Sequence, residues 1–269
     1  MRRVCGRFAR RRTSQRRKAA ALSFVLLCVT LQTGVALAAE ARPKLGPDAV
    51  PIQRATEYLR RHDAPDYWAL SAYYLPQLTN ASCSVASVAM LVNALRGLPE
   101  RAEDPLVTQP SLLEAVDSAR WSAQSAEDGD GVTFADLEGY VRRGLAAFGI
   151  EAVEVEVLKP SDDSPATLER VRRLLAENER SDRDIALAYF NQGVLTGDWD
   201  GPHIAPIGAY DAESGRVLIM DVDREWYVPY WSSDAKLLAA MLRPAPADQG
   251  ALAGETGGLM RVRLKGVGD

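Results

Sequence analysis

Cysteine is scarce in this 269-residue sequence, which holds three, at positions 5, 28 and 83. Cys5 and Cys28 fall in the first 38 residues, which read as a removable leader. Beyond the leader only Cys83 remains, so no internal disulfide can form there. Histidine is scarcer still, with His62 and His203 alone. One thiol and two scattered imidazoles do not assemble a structural metal site, so no metal and no cofactor is expected. No phosphate-cradling loop and no dinucleotide fingerprint occurs. Positive charge is also sparse past the start. Nine of the 32 Lys and Arg lie in residues 1–18, and the rest of the chain carries 23 against 36 acids, a net of −13. An acidic body excludes nucleic acid and anionic membrane as expected partners.

The basic start is followed by an apolar run over 19–39 and by Ala36-Leu37-Ala38, a small-residue cleavage site. This is a secretory layout, with cleavage expected after Ala38 and a periplasmic or secreted product. The alternative is an uncleaved N-terminal anchor, because the run approaches the ~20 residues that span a bilayer. Gln32, Thr33 and Gly34 dilute it and favour removal. No stable membrane contact is expected after cleavage.

A lone thiol in an exported chain is a candidate reactive group. Cys83 opens a stretch in which Val85, Val88, Ala89, Val92 and Leu95 recur at helical spacing. Ser82 or Asn80 can cap its start, and Gly97 followed by Pro99 stops it. The thiol therefore sits in a first helical turn, where unpaired N–H groups and the helix dipole favour the thiolate. Six positions upstream, Gln77 can offer a side-chain N–H to an oxyanion beside the same sulfur. His203 opens an apolar strand, and Asp221 ends another after Val-Leu-Ile-Met. In this order a cysteine nucleophile, a general base and an orienting carboxylate follow the logic of papain-like enzymes. Asp223 has the same strand parity as Asp221 and is its rival. His62, in Arg-Arg-His-Asp, reads as a solvated helix end.

Three motifs carry a closer resemblance. Gln77 with the run Cys83-Ser-Val-Ala-Ser-Val-Ala-Met-Leu-Val-Asn-Ala-Leu resembles the catalytic helix of the phytochelatin synthase family. His203-Ile-Ala-Pro-Ile-Gly-Ala-Tyr resembles its histidine strand, and Asp221-Val-Asp-Arg-Glu-Trp-Tyr-Val-Pro-Tyr-Trp its aspartate strand. The resemblance favours Asp221 over Asp223 and gives Arg224 to a substrate carboxylate, a surface ion pair being the alternative. It departs at Ser84, where the family has Gly, at Val228-Pro229 in place of paired prolines, and at Gly257-Gly258 in place of Arg-Gly. No cysteine-rich region follows, so the likeness is to the short bacterial members, which act chiefly as hydrolases.

The expected fold is α+β, a papain-like cysteine peptidase fold with Cys83 at the N-terminus of a central helix packed on an antiparallel sheet. Helices are expected at 51–61, 110–118, 133–147, 164–179 and 233–242. Strands are expected at 151–158, 185–190, 204–210, 216–221 and 259–264, with surface loops at 123–131 and 244–258. The domain reading is a signal peptide at 1–38, a linker and N-terminal helix at 39–66, and a catalytic domain at 67–269. The resemblance implies an exported thiol hydrolase or transpeptidase that cuts the Cys–Gly bond of glutathione or related γ-glutamyl peptides through a Cys83 acyl-enzyme, with a homodimer allowed. The alternatives are a papain-like peptidase or amidase on another small amide, and a non-catalytic thiol-binding envelope protein.

Overall fold

The computed structural model describes residues 43–266. The leader assigned to 1–38 lies outside them. Among the described residues no helix is long and apolar enough to cross a membrane.

The single helix expected over 51–61 is split. A two-residue strand β1 (Val50–Pro51) and a 3₁₀ turn (Ile52–Arg54) precede a short helix α1 (Glu57–Arg61). Next come α2 (Pro65–Ser71), α3 (Cys83–Arg96), α4 (Gln109–Val116), α5 (Ala119–Gln124) and α6 (Phe134–Ala147). The second half runs β2 (Val153–Leu158), α7 (Pro165–Asn178), β3 (Asp184–Asn191), α8 (Gln192–Thr196), β4 (Pro202–Asp211) and β5 (Arg216–Ile219). It ends with β6 (Tyr230–Ser233), α9 (Asp234–Leu242) and β7 (Gly258–Leu264). Side-chain caps mark the helix starts: Thr133, Ser164 and Ser233 accept from the N–H groups of Asp136, Thr167 and Lys236.

The strands form one antiparallel sheet in the order β1-β6-β5-β4-β3-β7-β2. One face packs α3, α4 and α6 into a core that includes Val88, Leu91, Leu112, Leu145, Ile204 and Met260. The other face packs α7 and α9 through Val171, Leu175, Leu237 and Met241 against Ala186, Ile207 and Leu259. β3 and β4 lie between these layers and are apolar on both sides, which explains why their sequences run apolar without alternation.

α3 is buried all round rather than on one face, and its polar residues are matched inside. Ser87 donates to the carbonyl of Ile204, which fixes the helix under β4. Asn93 exchanges two hydrogen bonds with the backbone of Val107. Gly97 ends the helix with φ +72°, a left-handed value that glycine adopts without strain. Between β4 and β5 the register shifts at Gly208, an extra residue on β4. A Cβ there would meet the Met220 side chain at 2.7 Å.

Candidate active site

Cys83 is the first residue of α3 and a free thiol, partly exposed on a cleft of about 740 Å³. Ser82 occupies the cap position but makes no cap hydrogen bond. Its hydroxyl instead accepts from the N–H groups of Leu78 and Thr79 and closes the loop that leads into the helix. Asn80, the other candidate cap, turns to Asp128. The first-turn N–H groups of α3 are therefore left without a side-chain cap beside the sulfur. Gln109 staples the same loop, donating to the carbonyl of Pro76 and accepting from the N–H of Leu78.

His203 lies at the start of β4, 4% exposed, and Asp221 follows β5, fully buried. Nε2 of His203 and Oδ1 of Asp221 are 3.0 Å apart. That leaves Nδ1 for Cys83, whose side chain also interacts with the ring. Burial acts to discharge the imidazole. The charge and hydrogen bond of Asp221 outweigh it, helped by Cys83, and lift His203 well above its ordinary value. Phe190, opposite His203 in the β3–β4 register, meets the ring edge to face at 5.7 Å.

The carboxylate of Asp221 is fully engaged. Oδ1 also accepts the backbone N–H of Asp223 at 2.9 Å, and Oδ2 accepts Nε2 of Gln192 at 2.7 Å. Gln192 is fixed in turn by the hydroxyl of Tyr230, and the hydroxyl of Tyr74 donates to the Asp221 carbonyl. Asp223 thus supports Asp221 through its backbone while its own side chain faces the cleft. Sequence reading misses Gln192, because it sits on the short helix α8 without a motif. An amide at a strand end between two polar partners is its only signal.

Gln77 lines the cleft next to Cys83. Its backbone N–H donates to the carbonyl of Val222, and its Oε1 is buried with no partner. The other end of the carboxamide, its NH₂, is the kind of donor that a developing oxyanion requires. Arg224 stands apart from this group. It is exposed, it is not among the cleft-lining residues, and its guanidinium lies 4.6 Å over the ring of Tyr74. The ring it packs on belongs to the tyrosine whose hydroxyl holds the Asp221 carbonyl. His62 stacks on Tyr58 at 4.3 Å, outside the cleft.

The segment expected as a free surface loop at 123–131 forms a wall of the cleft. Thr79 bonds the carbonyl of Ser125, and Asn80 and Asp128 bond each other twice. Residues 244–258 are likewise ordered, with the N–H groups of Ala245 and Gly254 bonded to the carbonyls of Glu255 and Ala245. Six carboxylates line the cleft: Glu127, Asp128, Asp130, Asp198, Asp223 and Glu225. Lys44 is the one lysine or arginine among the described lining residues.

The phytochelatin synthase family model matches residues 52–250 of this sequence. The chain belongs to the phytochelatin synthase family. Glutathione gamma-glutamylcysteinyltransferases 1 and 2 of Arabidopsis thaliana are 26% and 25% identical to it, over 65% and 73% of this chain and 33% and 42% of their own lengths. Glutathione gamma-glutamylcysteinyltransferase 3 of Lotus japonicus is 25% identical over 61% of this chain and 32% of its own. The chain thus spans about a third to two fifths of the curated relatives it matches. A solved structure, the Pseudomonas avirulence protein AvrPphB, aligns over 72% of this chain and 98% of its own at 15% identity with a TM-score of 0.33. As a member of the phytochelatin synthase family the chain has the papain-like α+β fold, with Cys83, His203 and Asp221 drawn to one end of the sheet. Two departures from the family pattern have structural reasons. Ser84 points inward, fully buried, and accepts the indole N–H of Trp121 at 3.0 Å. At Gly257 a Cβ would fall 1.8 Å from the carbonyl oxygen of Tyr189, so this backbone leaves no room for an arginine.

Proposed function

We propose that this chain is a cysteine-dependent γ-glutamylcysteine transferase and glutathione hydrolase. The observation that carries the reading is the buried His203–Asp221 pair aimed at a thiol on a helix start. The likeness to glutathione gamma-glutamylcysteinyltransferases supports glutathione as the substrate. Cys83 thiolate attacks the carbonyl of the Cys–Gly bond. Gln77 and the first-turn N–H groups of α3 receive the oxyanion. His203, protonated beside Asp221, delivers its proton to the leaving glycine nitrogen as the C–N bond breaks, leaving a γ-glutamylcysteinyl thioester. Water, deprotonated by His203, then releases γ-glutamylcysteine. The amine of a second thiol peptide in place of water gives transpeptidation. We place this chemistry outside the cytoplasm, on the strength of the leader-like residues 1–38.

Full-length protein incubated with glutathione should release glycine and γ-glutamylcysteine, with an acyl adduct on Cys83 visible by intact mass. Cys83→Ala should show neither. Glutathione left intact, with no adduct, would overturn the reading. The acidic cleft favours one second reading, an amidase on a small amide that carries a positive charge.

A further inference from the structure

Lys44 reaches into the cleft from the segment before β1, and the structure shows what receives it. Its Nζ lies 4.5 Å from the ring centroid of Trp226 and 4.7 Å from that of Tyr227. It is 2.6 Å from Oδ2 of Asp198, the same oxygen to which the Tyr227 hydroxyl donates at 3.1 Å. Two aromatic faces and a carboxylate thus enclose one ammonium, the arrangement that recognises an organic cation. The Tyr227–Asp198 bond holds the carboxylate in place whether or not a lysine is present.

Two observations argue that the occupant is exchangeable. The Lys44 and Asp198 side chains are 45% and 41% exposed, and an ion pair so open to water holds weakly. The segment has its own anchor two residues on, where the Gly46 N–H bonds the carbonyl of Thr196, so Lys44 can leave without undocking it. The cage shares its cleft with Cys83, and Trp226 keeps 58% of its surface open there. Five further carboxylates line that cleft along with His203, so its field favours the ammonium group of a ligand.

We propose that Trp226, Tyr227 and Asp198 form an alkylammonium subsite of the cleft, occupied by Lys44 in the free chain and by the ammonium group of the substrate during turnover. Lys44 is then a tethered competitor. In part this rests on the proposed function, since the γ-glutamyl group of glutathione supplies such an ammonium.

The test has two arms, both on the full chain. In the first, n-butylammonium is titrated against wild type and Lys44→Ala, read by tryptophan emission and by calorimetry, with n-butanol as the uncharged match. Lys44→Ala should bind n-butylammonium saturably and more tightly than wild type, and n-butanol should be silent. Adding Trp226→Leu should weaken that binding about two- to fivefold, the worth of one exposed cation–aromatic contact. Adding Asp198→Asn should weaken it as well. Equal responses in wild type and Lys44→Ala, or an equal response to n-butanol, would make Lys44 a structural clasp and sink the subsite. In the second arm, Lys44→Ala should lower KM for glutathione but not for N-acetylglutathione, which lacks the ammonium. If glutathione is no substrate the second arm is silent and the first still decides. Binding without any KM difference between the two peptides would refute use of the subsite on glutathione.

Discussion

Asp221→Asn separates charge from geometry at this site. The asparagine can keep its oxygen toward His203 and the Asp223 N–H, as Oδ1 does now. Its new NH₂ then faces Gln192, which currently donates there. A flip of the Gln192 carboxamide presents its oxygen instead. Its NH₂ then turns to Tyr230, whose hydroxyl can rotate from donating to accepting. Only the buried Tyr230 O–H then gives up its acceptor, at a cost of about 1–3 kcal/mol, so the variant should still fold, and what the ring loses is the negative charge 3.0 Å away. At an effective dielectric of about 20, a charge pair about 4 Å apart is worth about 4 kcal/mol, or about 10³ in rate. The equivalent change in other triads costs about 10⁴. Glutathione turnover should therefore fall about 10³- to 10⁴-fold, with a loss of stability no larger than that of one buried hydrogen bond. Alkylation of Cys83 by iodoacetate, an anion drawn by imidazolium, adds a second readout. In wild type the rate should fall as pH rises through the raised His203 value, and in Asp221→Asn that fall should move to lower pH. A turnover within about tenfold of wild type, or an unmoved profile, would refute the electrostatic role. Asp223→Asn should leave the profile nearly in place, because the backbone of Asp223 makes the bond to Asp221.

Gln77→Ala should lower kcat about 10²- to 10³-fold with the Cys83 adduct still forming slowly, measured by single-turnover mass spectrometry. His203 sets a pH dependence of stability. Its folded value is raised, so its contribution is full below the unfolded value of about 6.5 and is lost as pH climbs through the folded one. Urea midpoints should fall as pH climbs from about 6.5 through the folded value in wild type and fall less in His203→Gln. Gly257→Ala should destabilise by about 1–3 kcal/mol or more in denaturant titrations, because the added methyl meets a backbone carbonyl that cannot step aside.

Cys83, His203 and Asp221 are legible in the sequence because each sits at the end of an apolar element whose period can be read. A lone thiol at the head of Val85, Val88 and Val92, and a lone strand histidine, leave few other places for a nucleophile and its base. The caps at Thr133, Ser164 and Ser233 are legible for the same local reason. What stays hidden depends on contacts between distant segments. Ser82 reads as a helix cap, yet its hydroxyl is drawn back to Leu78 and Thr79 because the loop folds tightly there. Arg224 reads as a substrate ligand or a surface ion-pair partner, and its packing on the ring of Tyr74, 150 positions earlier by numbering, leaves no local trace in the sequence. Residues 123–131 read as solvent loop because they are acidic and rich in small residues, and only the bonds to Thr79 and Asn80 turn them into a wall. Gln192 and Lys44 carry no local pattern at all. β6 is missed because four residues, Tyr230 to Ser233, are too short to show an alternation.

β7 lies inside the sheet, hydrogen-bonded to β3 on one side and β2 on the other. A ribosome therefore delivers β3, β4 and β5 well before the strand that completes their sheet. Until residues 258–264 emerge, β2 has no partner and β3 presents an open edge, the kind of surface that pairs with other chains. Assembly of the apparatus around Cys83 is thus a late, long-range event, slow by topology. The reactive thiol is made 120 residues before its histidine and gains that partner only once β4 has docked on α3.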